Sequence, residues 1–456
     1  APDRPDWQRA LGDLYQAAGD HAAALPHLRR AAVLEPQPEH HYAAARSLRA
    51  LGDLAGAAEA LERALLLRPD AHQWRIELAE IYIERGWDGE AVAELGHVLA
   101  STPDDARLWR MRAGAHFRLR NLDAARADLV QALRRDGRDA ASYALLARVL
   151  YEQSFDARAL DAARRAVELE PAEPEHRALL ARVLRALGRR AEAAAELQAA
   201  LADGGPAAWW ADLAEDWESL GETERAADAW RKAAEAAPGD ATPRFRLGRL
   251  LAKAGDLRGA IQRLREAVSL RPDFASARAR LAEMLIARLG FALLEAGVEA
   301  GLAAVMAKAG GDDQTGEPGS AATAAEALEH ARQAVAQNPQ AAEHWRALGA
   351  ALRASGQTEE AVDALRRAHA LDPADAAAAG LLGLALLESG EPEAAASAFA
   401  AASSAAPDAA EYHGLLGIAC QRLLPAPEDP AEPGEAAAEA MLARAREPLQ
   451  RGLALA

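Results

Sequence analysis

The chain has one cysteine, three lysines and few aromatic residues, 5% of 456. A single Cys420 excludes any intramolecular disulfide framework, and the count leaves the redox compartment open. Few rings mean that a core, if there is one, is built from alanine and leucine. No uninterrupted apolar run is long enough to span a bilayer. No stretch alternates at the two-residue period of a strand, so the expected fold class is all-α. Catalytic signatures are missing as well. There is no glycine-rich phosphate loop ending in Lys and Ser or Thr, no His-Glu-x2-His, no paired-cysteine zinc spacing and no Gly-x-Ser-x-Gly. His40 and His41 are adjacent without a third ligand nearby and read as a surface pair rather than a metal site. The expectation is a protein that is not an enzyme and carries no cofactor and no metal.

Charge is plentiful but one-sided. The formal net charge is −17, which disfavours nucleic acid and anionic membranes as partners. The lysines are Lys232, Lys253 and Lys308, so nearly all positive charge is arginine. Genome base bias accounts for that more simply than function does. The chain starts at Ala1 rather than Met. A removed signal peptide or a trimmed chain would each explain it, and a bacterial protein outside the cytoplasm is slightly favoured.

What is present is a rhythm. Breakers recur at Pro36, Pro69, Pro103, Gly137, Pro171, Gly205, Pro238, Pro272, Pro339, Pro373 and Pro407. The intervals are 33 or 34 residues, with one gap of 67 that two beats would fill. A fixed period of this length means stacked helical units sharing one elongated core. Small residues recur where helices must cross closely: Ala24, Ala57, Ala91, Ala125 and Ala159 in one slot, Ala31, Ala64, Ala132 and Ala166 in another. Leu28, Leu61, Leu95, Leu129, Leu197, Trp230, Leu264 and Phe399 fill the space between. Gly19-Asp20, Gly52-Asp53 and Gly255-Asp256 read as turns, the glycine ending one helix and the aspartate capping the next.

The unit from Trp345 to Pro373 reads W-x2-L-G-x2-L-x3-G-x4-A-x3-L-x2-A-x4-P. Leu11-Gly12, Leu247-Gly248 and Leu382-Gly383 open matching units. This pattern closely resembles the tetratricopeptide repeat family, over nearly the whole chain and in about twelve copies. The resemblance implies a right-handed superhelical solenoid of stacked antiparallel helix pairs. It is expected as one continuous domain, 1–456, with units near 5–38, 38–71, 72–105, 106–139, 140–173, 174–207, 207–240, 241–274, 275–340, 342–375, 376–409 and 410–456.

Two places break the rhythm. Leu289 to Ala325 reads as a first helix lengthened by about two turns, a break near Gly297, a short helix to Ala309 and a polar loop. The regular second helix resumes from about Ala321. This insertion, about 289–320, is dense in apolar residues such as Phe291 and Leu294. They fit packing on neighbouring repeats, or a protruding hairpin that docks on a partner. The second break, 425–434, reads as a loop rich in Pro and Glu.

Binding is the use such a scaffold has. In the family, first helices line a concave groove that accepts peptides or other chains. By register this groove presents Arg46, Arg49, Arg110, Phe117, Arg148, Tyr151, Arg182, Arg185, Phe245, Arg249, Arg346 and Arg353. The arginines either pair with carboxylates on the same face, including Glu80, Glu152, Glu215 and Glu283, or hold an acidic ligand. In the last two units Leu384, Leu387 and Ile418 turn that face apolar. The ends look uncapped, with Trp7, Leu11 and Leu14 at one and Leu449, Leu453 and Leu455 at the other. End-to-end joining would give a homo-oligomer or open filament. Three functions stand: a self-assembling scaffold, an adaptor holding a peptide or protein in the groove, and the regulatory arm of a glycosyltransferase-type enzyme.

Overall fold

A computed structural model describes residues 4–295, 320–423 and 450–451. The chain divides into two compact units, Ala1–Gly205 and Pro206–Ala456. The first holds α1 (Pro5–Ala17), α2 (His21–Leu34), α3 (Pro38–Ala50), α4 (Leu54–Leu67), α5 (His72–Arg85), α6 (Asp88–Ser101), α7 (Ala106–Arg118), α8 (Leu122–Arg135), α9 (Ala140–Glu152), α10 (Asp156–Leu169), α11 (Pro174–Ala186) and α12 (Arg190–Ala200). The second holds α13 (Ala207–Ser219), α14 (Thr223–Ala236), α15 (Ala241–Lys253), α16 (Leu257–Leu270), α17 (Ala275–Glu295), α18 (Ser320–Gln337), α19 (Ala342–Ala354), α20 (Thr358–Leu371), α21 (Ala376–Glu388), α22 (Pro392–Ala405) and α23 (Ala410–Arg422). No strand occurs among the described residues. Within each unit a first helix packs on its second helix, and each pair packs on the next. This is the tandem solenoid arrangement that the period requires.

The alanine slots are where the helices meet. Ala24, Ala57, Ala91, Ala125, Ala159, Ala193, Ala226, Ala260, Ala327, Ala361 and Ala395 are all fully buried. A larger side chain there would push the crossing helices apart. In four repeats a large residue of the second helix lies over a glycine of its partner: Leu28 over Gly12, Leu264 over Gly248, Leu365 over Gly349 and Phe399 over Gly383. A Cβ on Gly349 would stand 2.4 Å from Leu365, and one on Gly383 would stand 2.6 Å from Phe399. The Leu-Gly pairs are thus steric requirements of these particular partners.

The turns follow the expected chemistry. Gly19, Gly52 and Gly255 adopt φ of 78°, 79° and 83°. The following aspartates cap the second helices. Asp20, Asp53 and Asp256 each accept from the backbone N–H three residues on, at 2.9 Å. Arg120 and Ser154 take the same left-handed conformation without being glycine, at φ 63° and 60°. That conformation costs an L-residue roughly 1–2 kcal/mol, partly offset by the lower chain entropy of a residue with a side chain. Ser154 is exposed, so Ser154→Gly is expected to stabilise the protein by about 0.5–1 kcal/mol. A rise in urea midpoint checks this.

A recurring clasp was not anticipated. Six residues after the breaker proline, a side chain returns to that proline's carbonyl. Arg75 Nε donates to Pro69 at 3.1 Å, Trp109 Nε1 to Pro103 at 2.7 Å and Arg177 Nε to Pro171 at 3.1 Å. Arg278, Trp345 and His413 do the same to Pro272, Pro339 and Pro407. Each clasp satisfies a carbonyl just beyond a second helix and fixes where the next first helix starts.

His40 corrects the expected surface pair. It is 4% exposed and its Nδ1 bonds the Glu35 carbonyl at 2.8 Å. Cys420 is half-buried. In the long interval, α17 runs 21 residues against 13 or 14 for its equivalents, and α18 begins at Ser320. The lengthened helix and its partner stand as expected. The break near Gly297, the helix to Ala309 and the loop at 425–434 lie outside the described residues. So do Leu449, Leu453 and Leu455. Phe291 and Leu294 sit on the backbone of α17's last turns.

Candidate functional site

First helices of successive repeats place equivalent residues side by side, one per repeat. The register places nine arginines on this shared face, and the structure sorts them by partner. Arg49 pairs with Glu80 at 3.2 Å and Glu84 at 2.5 Å, and Arg353 pairs with Glu388 at 3.0 Å. Arg110 lies 3.4 Å from Asp139. Arg185 has an interaction of its own.

Arg346 is engaged by carboxylates of its own chain. Its side chain is 19% exposed and is held between Glu283, at 2.8 Å, and Asp375. Burial alone pulls its pKa down, but Glu283 and then Asp375 outweigh burial and raise it above the usual arginine range. Asp375 also accepts from the backbone N–H of Ala377 and Ala378, so it caps α21 as well.

A second group is left without carboxylates. Arg148 on α9 lies over the ring of Phe117 on α7, with Cζ 5.0 Å from the centroid. One repeat later, Arg182 on α11 lies over Tyr151 on α9 at 5.2 Å. Both guanidiniums are exposed and neither meets a carboxylate among the described residues. Arg46 on α3 is exposed in the same way. Stacking on a ring holds the guanidinium plane while leaving its N–H edge to solvent. The surroundings reinforce the charge. Helices α7, α9 and α11 contain only two carboxylates, Glu152 and Glu175, each close to a helix end. Glu152 is occupied by Arg120 at 3.0 Å. At the position of Arg148 one repeat earlier, α7 carries Gly114, where a Cβ would meet nothing closer than the Arg118 guanidinium at 3.7 Å. In a chain of net charge −17 this is a local basic stripe.

The equivalent face in the second unit is balanced. A recess of about 250 Å³ there is lined by Phe245, Phe274 and Arg249, together with Arg280, Glu283 and Glu343. The rings of Phe245 and Phe274 tilt against each other with centroids 4.7 Å apart, and Arg249 lies 5.8 Å over Phe245. Two carboxylates sit in the same recess, so it does not present the one-sided charge of α7, α9 and α11. Toward α23, Leu384 and Leu387 pack half-buried on their own core, and Ile418 is 43% exposed.

Models of the tetratricopeptide repeat match residues 48–115 and 352–418, residues 110–174 and 323–376, and residues 9–42. Together they span more than half of the chain. The chain belongs to the tetratricopeptide repeat family. No curated protein matches it significantly. Among solved structures it is similar to a tetratricopeptide repeat protein from Parabacteroides merdae, with 17% identity over 54% of this chain and 98% of that chain and a TM-score of 0.42. It is also similar to the Cut9–Hcn1 hetero-tetramer of the APC/C, with 13% identity over 99% and 94% and a TM-score of 0.45. A third is YrrB, described as a tetratricopeptide repeat protein with an unusual peptide-binding site, with 20% identity over 40% and 95% and a TM-score of 0.37. Likeness at these identities speaks to fold alone.

The tetratricopeptide repeats make the chain a protein-interaction scaffold. Among the described residues no His, Cys, Asp and Glu cluster could hold a metal ion, and no helix is long and apolar enough to cross a membrane. The first-helix face differs from its sequence outline in one respect. Periodicity placed Arg148, Arg182, Arg346 and Arg353 on one face, but only contacts between repeats separate those that are spent on carboxylates from those that remain available.

Proposed function

We propose that this protein is a non-catalytic scaffold that holds an acidic segment of a partner protein along the first helices α7, α9 and α11. The observation that carries this reading is the pair Arg148 and Arg182, each exposed, each stacked on an aromatic ring and each without a carboxylate. Solvated arginines on a charged surface normally find a glutamate within reach, as Arg49 and Arg353 do. Here α7, α9 and α11 carry only Glu152 and Glu175, and neither pairs with Arg148 or Arg182, so a carboxylate from another chain gains two charge-assisted forks at low cost in ordering. Fluorescence anisotropy of a labelled hexaglutamate peptide tests it. Binding is expected to weaken steeply with salt. The double substitution Arg148→Ala, Arg182→Ala is expected to weaken it at least about tenfold, because each charge-assisted bond is worth roughly 1.5–3 kcal/mol. Unchanged affinity in that variant would reject the assignment.

A second reading, end-to-end assembly of copies, rests on α1. Leu14 is 67% exposed and Trp7 62%. The residues at the Leu14 position in the next two repeats, Ser47 and Ile81, are 0% and 1% exposed. Those positions have a repeat before them, and Gln16 of α1 donates to Ser47 Oγ at 2.7 Å. A second copy placed before α1 would cover it in the same manner. Light scattering over a concentration series is expected to show growth that Leu14→Asp suppresses. A concentration-independent monomer would end this reading and leave the first intact.

A further inference from the structure

Resting on the reading of α7, α9 and α11 as the partner-binding face, we infer that its ligand is a polyproline II segment carrying carboxylate side chains three residues apart, one on Arg148 and the next on Arg182. The argument is one of spacing. Arg148 and Arg182 occupy the same place in consecutive repeats, 34 residues apart, each over a ring of the preceding first helix. Helices α7 and α9, and α9 and α11, approach each other directly. Packed neighbouring helices have axes roughly 8–10 Å apart, and at that pitch the two guanidiniums would stand about as far from each other.

Few backbone conformations put two side chains on one side at that pitch. Polyproline II has three residues per turn and rises about 3.1 Å per residue, so residues i and i+3 point the same way about 9 Å apart. A β-strand places i and i+2 on one face at roughly 7 Å and i and i+4 at roughly 13 Å. An α-helix places i and i+4 only about 6 Å apart along its axis. Polyproline II alone meets the pitch with a short segment. Its backbone also makes no internal hydrogen bonds, and at Gly114, where even a Cβ would meet nothing closer than 3.7 Å, it has room to lie close to α7. Phe117 and Tyr151 alternate with the guanidiniums along the face, so each carboxylate is followed by a ring edge. A proline ring between the two acidic positions would meet Tyr151.

The test uses fluorescein-labelled, proline-rich peptides that differ only in the separation of two glutamates, set at two, three or four residues, with a two-glutamine control. The expected result is that the three-residue spacing binds about tenfold tighter than either neighbour, and that Arg182→Ala removes this preference while leaving the weaker binding of a single glutamate. Arg182 is exposed, so circular dichroism is expected to show the variant folded. Equal affinity at all three spacings, still sensitive to Arg148→Ala, would overturn the spacing inference and leave the acidic-segment reading standing. Failure of every glutamate peptide to exceed the glutamine control would overturn both.

Discussion

Arg346→Met is expected to destabilise the second unit by about 2–4 kcal/mol, because it leaves two carboxylates facing each other in a half-dry site. The pair is 16% and 12% exposed at Glu283 and Asp375. Breaking one partner of such an arrangement costs more than the arrangement contributes, since the uncompensated charge must be solvated in place. Two features temper the loss. Glu283 keeps Arg280 at 2.7 Å, and Asp375 keeps the backbone N–H groups of α21. Neutralising the orphans as well, in Arg346→Met with Glu283→Gln and Asp375→Asn, is expected to recover more than half of the deficit. Urea unfolding followed by circular dichroism provides the comparison. A single variant within about 0.5 kcal/mol of the parent would mean that the site is wet enough to make the pair irrelevant.

Trp230→Ala has the other large expected effect, a loss of about 3–5 kcal/mol. Trp230 is 2% exposed and is the largest fully buried side chain. It occupies the position that Leu197 and Leu264 fill in the flanking repeats, and its Nε1 donates to Glu218 at 2.5 Å. Alanine would leave a void that helices α13 and α14 cannot close without losing the fully buried contacts of Ala226 and Ala233. Leucine at this position is a proven occupant elsewhere in the chain, so Trp230→Leu is expected to cost less than half as much. Because each repeat touches only its neighbours, the loss should be local. Hydrogen exchange is expected to show α13–α16 opening first, before helices of the first unit. Uniform loss of protection throughout the chain would contradict local coupling.

How far the sequence reached can be seen residue by residue. The helices, the alanine slots, the Gly-Asp turns and the lengthened α17 were all legible, because each repeats at a fixed offset and depends on neighbours within one repeat. The division of the arginines was not. Arg346 meets Glu283 and Asp375 across 63 and 29 residues, and no periodic rule says which carboxylate lies within reach. His40 was misread for a related reason. A polar residue at a nominally exposed offset becomes core once its ring finds a carbonyl. The clasp onto the proline carbonyl was hidden differently. Its offset is constant, but arginine, tryptophan and histidine all perform it, and what they share is a side-chain N–H rather than a residue type. Ser154 and Arg120 likewise hold a backbone conformation that their side chains do not advertise.

The clasp carries an implication for how the array changes over generations. Donor and acceptor are only six residues apart, so each of the six junctions that has the clasp carries its own fastening and asks nothing of distant positions. Copying or excising a module that has the clasp therefore brings or removes its fastening in one piece. An array built on such joints tolerates a change in length more readily than a change of one residue inside a slot. The lengthened α17 shows the alternative: growth within a module rather than between modules.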